Sequence, residues 1–275
     1  MSQREERSPI GDRASTAPRS FADYTRTGDV GAITIEKPPL NLFDRRLVEA
    51  LKLTVVAAAD DSPRALIVRA EGKVFTGGVD VQEFDDLGGS AAREFASELL
   101  ALTHSVEDLP FPTLASVHNL CLTAGLELAL ACDLIWADEE ARFGLVERVV
   151  GVTPFMGGTQ RMAERAGPAR AREFVYSGRP YPAAVLERWG VVNRVVPVDQ
   201  LHESALEFAT HLAAGPPHAH AATKRIVRAQ VDGGTRAADE VTPGEAERLF
   251  ETEDLKRAVK TFLAEGPGKA TFDGS

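Results

Sequence analysis

Two glutamates stand out because their neighbours are apolar. Glu127 sits within Leu126-Glu127-Leu128-Ala129-Leu130, and Glu147 is flanked by Leu145, Val146, Val149 and Val150. A carboxylate in such surroundings must be paired, neutralised or functional. Two of them can hold one water and divide acid and base roles, because their environments drive their pKa values apart. Each also has a plainer reading. Glu127 falls near the start of a predicted helix, where negative charge is stabilised. Glu147 has Arg142 and Arg148 close in sequence as salt-bridge partners.

Two glycine-containing segments add candidate anion sites. In Phe75-Thr76-Gly77-Gly78-Val79-Asp80, Gly77 and Gly78 permit positive φ and close backbone approach. The following N–H groups are then expected to face open space and to suit a developing oxyanion. A plain strand-to-helix turn has the same composition. The second segment, Thr123-Ala124-Gly125, opens the helix that carries Glu127. Neither matches a P-loop or G-x-G-x-x-G, so nucleotide phosphate binding has no motif. His118 is a candidate base, but no G-x-S-x-G elbow or nucleophilic Cys motif accompanies it, which favours a structural histidine. Cys121 and Cys132 form no CxxC pair and lack zinc spacing. They read as buried hydrophobes in a reducing compartment, with no metal site expected.

The elements that must position these groups alternate. Strands are predicted over 30–37, 64–71, 112–120, 134–138, 141–145 and 191–197. Helices are predicted over 43–61, 90–107, 123–133, 157–167, 168–178 and 182–190, then over about 198–214, 217–231 and 243–265. The chain thus divides into a polar, disordered leader (1–20), an α/β core (21–197) and a C-terminal helical region (198–275) suited to assembly. The leader lacks the apolar stretch of a secretory signal.

The chain of 275 residues carries 31 Lys and Arg against 41 Asp and Glu, a net charge of −10. That excess of acid argues against nucleic acid as a partner. No apolar run approaches the roughly 18 residues of a membrane span, so no membrane partner is expected. The acidity conceals a basic tail that includes Lys224, Arg225, Arg228, Lys256, Arg257 and Lys260.

Three segments, in order, resemble the crotonase superfamily of enoyl-CoA hydratases and isomerases. They are EGKVFTGGVDVQEF (71–84), LTAGLELALACDL (122–134) and RFGLVERVVGVTPFMGGTQRM (142–162), the last with the P-x-x-G-G-T-Q-R signature. GVVNRVVP (190–197) and FETEDLKRAVKTFLAEG (250–266) fit the family's closing sections, so the resemblance spans about residues 25–265. It implies a ββα superhelix, or spiral, with a C-terminal helical region. It also implies reversible hydration of a 2-enoyl-CoA to a 3-hydroxyacyl-CoA. Carried over by residue, the oxyanion-hole N–H groups are those of Val79 and Ala124, and the catalytic carboxyls are Glu127 and Glu147. By the same resemblance Glu127 helps to activate the water and Glu147 supplies the α-carbon proton.

Substrate contacts are expected from Gly78, Asp80, Val81, Gln82 and Gly125. Coenzyme A is part of the substrate and no separate cofactor is expected. Its phosphates want cations, for which Lys73 and Lys224 are candidates, and Pro39 marks a backbone contact in the KPPLN turn. Relatives form trimers or dimers of trimers, and a cytoplasmic location is expected. Isomerisation on the same hole and non-catalytic acyl-CoA binding are the alternatives. The chain departs from the family pattern at His118-Asn119 (usually Asn-Gly), at Thr123-Ala124-Gly125 (usually three glycines) and at Leu145-Val146 (usually Gln-Pro).

Overall fold

Near-continuous apolar runs build the centre of a parallel sheet, because its strands are covered on both faces. In the computed structural model, which describes residues 20–85 and 87–275, β3 (Ala65–Ala70) and β4 (Thr113–Val117) are such strands. They are flanked by β2 (Val30–Ile35), β6 (Leu134–Asp138) and β9 (Arg194–Val196), all running parallel. β1 (Ala22–Thr27) closes one edge antiparallel to β2 and completes the order β1-β2-β3-β4-β6-β9.

Three helices cover one face of this sheet: α1 (Arg45–Asp61), α2 (Gly89–Glu107) and α3 (Thr123–Ala131). In α1 the buried positions Leu47, Val48, Leu51, Val55 and Ala58 recur at helical spacing, and Asp44 caps the first turn by accepting from the Leu47 N–H at 2.9 Å. They join Ile33, Leu66, Leu102 and Leu126 in the main core. The opposite face receives α7 (Leu201–Ala213). Ala209 and Ala213 meet Val30, Ala65 and Ile67, while Leu201 and Ala205 meet Leu114 and Trp136.

A second layer positions the site. β5 (Leu120–Leu122) pairs parallel with β7 (Arg142–Gly144), and β7 pairs antiparallel with β8 (Tyr181–Pro182). Single parallel bridges extend the ladder backward, from Cys121 to Thr76 and from Val79 to Phe43. Successive turns of the chain therefore lay one strand in the large sheet and one short segment in this ladder, which is the expected ββα spiral. Helices α4 (Gly158–Ala166), α5 (Pro168–Ser177) and α6 (Ala183–Arg188) follow, and α8 (Pro217–Glu251) and α9 (Glu253–Glu265) end the chain.

The structure corrects several sequence expectations. β1 was not expected, because only its first residue is buried and its alternation is weak. β5 and β8 are too short to carry a period. The helix expected over 217–231 ends close to its expected limit, at a break at Gly234 (φ 77°), but helix resumes at once and runs to Glu251, so the helix expected over 243–265 is divided at Thr252. Pro243 lies within a helix and does not start one. The break falls at Thr252, whose side chain caps the next helix through the Leu255 N–H. The predicted leader lies outside the described residues except for Ser20.

The ladder and α3 approach so closely that Gly125 has no room for a side chain. A Cβ there would lie 1.8 Å from Cγ2 of the fully buried Thr76. Gly125→Ala should therefore destabilise the fold by about 1–3 kcal/mol. Thermal or denaturant unfolding measures this, and an unchanged midpoint would contradict the close packing of Gly125 on Thr76.

Candidate active site

The turn after β3 spends most of its polar groups on the 40–43 segment. Thr76 donates its hydroxyl to the Asn41 carbonyl (2.9 Å) and accepts from the Gly78 N–H (2.9 Å). The Gly77 N–H donates to Leu40 O (2.7 Å), and the Phe43 N–H donates to Gly78 O (2.8 Å). Gly78 needs its lack of a side chain twice over: its φ is 105°, and a Cβ would lie 2.3 Å from Thr123 Oγ1. Val79 departs from the expectation of an N–H facing open space. Its N–H donates to Thr123 Oγ1 at 2.7 Å, because a threonine hydroxyl fills the position directly before it.

Thr123 opens α3 with φ 45°, a conformation that a β-branched residue seldom adopts. Ala124 follows at the amino end, where backbone N–H groups have no partner within the helix. Glu127 lies beyond the first turn, so the dipole of its own helix is not what holds it. Its Oε1 accepts from the N–H groups of Met156 and Gly158, both at 2.8 Å, at the amino end of α4. That corner is itself braced. Gly157 has φ 97°, and the buried Arg161 forms a two-point pair with Glu107 (2.7 and 2.6 Å). Arg161 also donates to Met156 O at 3.4 Å.

Glu147 is buried, with 6% exposure, and neither carboxyl oxygen has a hydrogen-bond partner among the described residues. The expected salt bridges are absent. Arg142 reaches Pro180 O (3.3 Å), and Arg148 reaches the carbonyls of Tyr176 and Ser177 (2.8 and 3.2 Å). Burial raises the Glu127 carboxyl to about 7, against the two N–H donors and the more distant Arg161 charge, which lower it. Burial first, and the Glu127 charge second, raises Glu147 to about 8. Two buried carboxyls that feel each other's charge hold a proton near neutrality.

The remaining expected residues divide into near and far. Asp80 caps the turn of 3-10 helix Val81–Phe84 by accepting from the Gln82 N–H (3.1 Å), and Val81 and Gln82 are exposed beside it. Pro39 is exposed and follows a cis Pro38-Pro39 bond. Lys73 is exposed, and its carbonyl accepts from the Asn119 side chain (2.9 Å). Lys224 is paired with Asp133 at 2.9 Å on the flank formed by α8. His118 has a structural contact, with Nε2 3.1 Å from Gly72 O, and Asn119 takes a left-handed conformation (φ 52°). Both cysteines are free and buried. No cluster of potential metal ligands occurs among the described residues.

Sequence reasoning missed the Thr123 hydroxyl, the Met156 and Gly158 donors and the Arg161–Glu107 brace. The pair Gly157-Gly158 before an amphipathic helix was the available signal for the donors, but nothing in the spacing pointed it at Glu127.

The family model described as enoyl-CoA hydratase/isomerase matches residues 25–273. The chain belongs to that family. It is a crotonase-fold enzyme of the enoyl-CoA hydratase/isomerase type. It is 33% identical over 239 residues to a probable enoyl-CoA hydratase of Rhizobium meliloti (strain 1021), covering 86% of this chain and 92% of the relative. It is 36% identical over 207 residues to a carnitinyl-CoA dehydratase of Salmonella enteritidis, covering 74% and 79%. Among solved structures, an enoyl-CoA hydratase subunit of Geobacillus kaustophilus HTA426 superposes with a TM-score of 0.87 at 32% identity, covering 93% of this chain and 98% of that one. No helix among the described residues is long and apolar enough to cross a membrane.

The raised carboxyls make stability depend on pH in a definite direction. An unperturbed glutamate titrates near 4.5, while these two titrate near 7 and 8 in this family member's folded state. Between those limits the folded chain binds more protons than the unfolded one, so stability falls as pH rises from about 4.5 to about 8. Glu147→Gln removes one of these titrations without removing a hydrogen bond. It should raise the melting temperature at pH 8 by about 3 °C and leave it nearly unchanged at pH 5. Melting curves at the two pH values decide this, and equal shifts at both would contradict a buried, proton-holding Glu147.

Proposed function

We propose that this chain catalyses the reversible hydration of a 2-enoyl-CoA thioester to a 3-hydroxyacyl-CoA. The observation that carries the reading is the unequal treatment of two buried carboxyls. Glu127 has two N–H donors from another segment that favour its ionised form, whereas Glu147 has none from any other described residue and is pushed higher. Near neutrality that gives one carboxylate and one carboxylic acid, the pair that hydration needs. Glu127 takes a proton from a water as its oxygen adds to C3. Glu147 delivers its own proton to C2. The thioester oxygen, negative in the enolate, is held where Val79 and Ala124 meet at the amino end of α3. A preorganised donor there contributes roughly 10²–10³ in rate.

Gly78, Asp80, Val81, Gln82 and Gly125 line the acyl side of this reading. Pro39, Lys73 and Lys224 are its coenzyme A contacts, with CoA carried as part of the substrate and no separate cofactor. Lys224 would exchange Asp133 for a phosphate oxygen. The exposed apolar residues of α9, Val259, Phe262 and Leu263, support assembly as a trimer or dimer of trimers. Two buried thiols fit a reducing, cytoplasmic setting.

Glu127→Gln and Glu147→Gln should each reduce crotonyl-CoA hydration by at least about 10²-fold while binding of free CoA persists. Steady-state kinetics with product identification tests this. Normal hydration by the double Gln variant would overturn the assignment. Migration of a 3-enoyl double bond without any 3-hydroxyacyl product would replace hydration with isomerisation, and CoA binding without turnover across acyl chains would leave only a binder.

A further inference from the structure

The crowding around Thr123 is specific to this chain's own residues. Its hydroxyl is the acceptor for the Val79 N–H, at 2.7 Å. That is the distance at which a thioester oxygen would itself accept from a backbone donor. Oγ1 and a substrate oxygen cannot occupy this place together. Either the hydroxyl must leave, or the oxygen binds one atom further out.

Three observations favour the second arrangement. Thr123 is 5% exposed, and its hydroxyl proton has no acceptor among the described residues, although Oγ1 already accepts from Val79. A buried hydroxyl with an unspent donor is costly, and a thioester oxygen would relieve it. The residue is held at φ 45°, and a β-branched side chain is stiff about χ1, so swinging aside is restricted. Gly78 also lacks the Cβ that would lie 2.3 Å from Oγ1, so the hydroxyl has a fitted place.

We propose that Thr123 is a catalytic residue whose hydroxyl donates directly to the thioester oxygen, with the Val79 N–H behind it as a backing donor and the Ala124 N–H beside it. A hydroxyl that accepts one hydrogen bond donates a stronger one, because the two dipoles polarise each other. The hole then consists of one side-chain donor and one backbone donor, and is shifted outward by the length of a hydroxyl. This proposal rests on the reading that an enoyl thioester binds here.

The test uses the full-length protein with two readouts. One is kcat and KM for crotonyl-CoA. The other is the absorbance red shift of bound 4-(dimethylamino)cinnamoyl-CoA, which reports carbonyl polarisation without turnover. The variants are T123S, T123A, T123V and T123G. T123S keeps the donor and should stay within about 3-fold of the parent chain, with the full red shift. T123V keeps the bulk without the donor, and T123A removes both. Each should lose at least about 10-fold in kcat, with KM within about 3-fold and a smaller red shift. The loss in T123A is limited because the Val79 N–H becomes accessible. T123G is free of positive-φ strain and serves in their place if T123A or T123V folds poorly. A T123A or T123G enzyme as fast as the parent, with an equal red shift, would overturn the proposal and make the hydroxyl a plug, while leaving hydration intact. A parent chain that neither polarises the chromophore nor hydrates crotonyl-CoA would overturn both.

Discussion

Two buried carboxyl groups, Glu127 and Glu147, feel each other's charge, and hydrogen-bond donors from other residues reach only one of them. The rest of the site follows from this constraint. Glu127 sits on a helix that is buried along its whole length, so its polar end must find partners elsewhere. It finds them in the Met156 and Gly158 N–H groups, where α4 begins. That corner needs a left-handed glycine and a buried arginine to hold its shape, and the arginine needs Glu107 at the end of α2. Glu147 lacks such provision, so the pair is inherently asymmetric.

The spiral brings these parts together. Each turn contributes a short segment to the ladder, and the ladder runs Phe43, Val79, then Thr76, Cys121 and Phe143. The segments that leave its edge set Val79 against Thr123 and bring Glu147 within reach of the Glu127 charge. Close approach is the condition, which is why Gly78 and Gly125 stand where Thr123 and Thr76 press against them.

Much of this was legible in the sequence. The apolar runs of β3 and β4 signalled strands, and the spacing of Leu47, Leu51 and Val55 signalled α1. The two glutamates announced themselves by their apolar neighbours, and the glycines of the turn by the backbone freedom they allow. The illegible parts were those that depend on another turn of the chain. The partner of the Val79 N–H lies on a different segment, and so do the donors to Glu127. The sequence around Glu147 offered two arginines, and only the fold sends both elsewhere. The edge strand β1 has too little burial to leave a pattern, and the helix that resumes after Gly234 carries Pro243 in its interior, where the sequence suggested a start.

The support of Glu127 by a corner some way downstream has a consequence for how the protein comes into being. A ribosome makes Glu127 before it makes Met156 and Gly158. In the growing chain that carboxyl is an ordinary hydrated acid, unremarkable in strength, and so is Glu147. Neither departs from ordinary acid strength until the later corner has been synthesised and closed over them. The raised proton affinity of the pair is therefore absent during translation and appears only when the mature fold is complete.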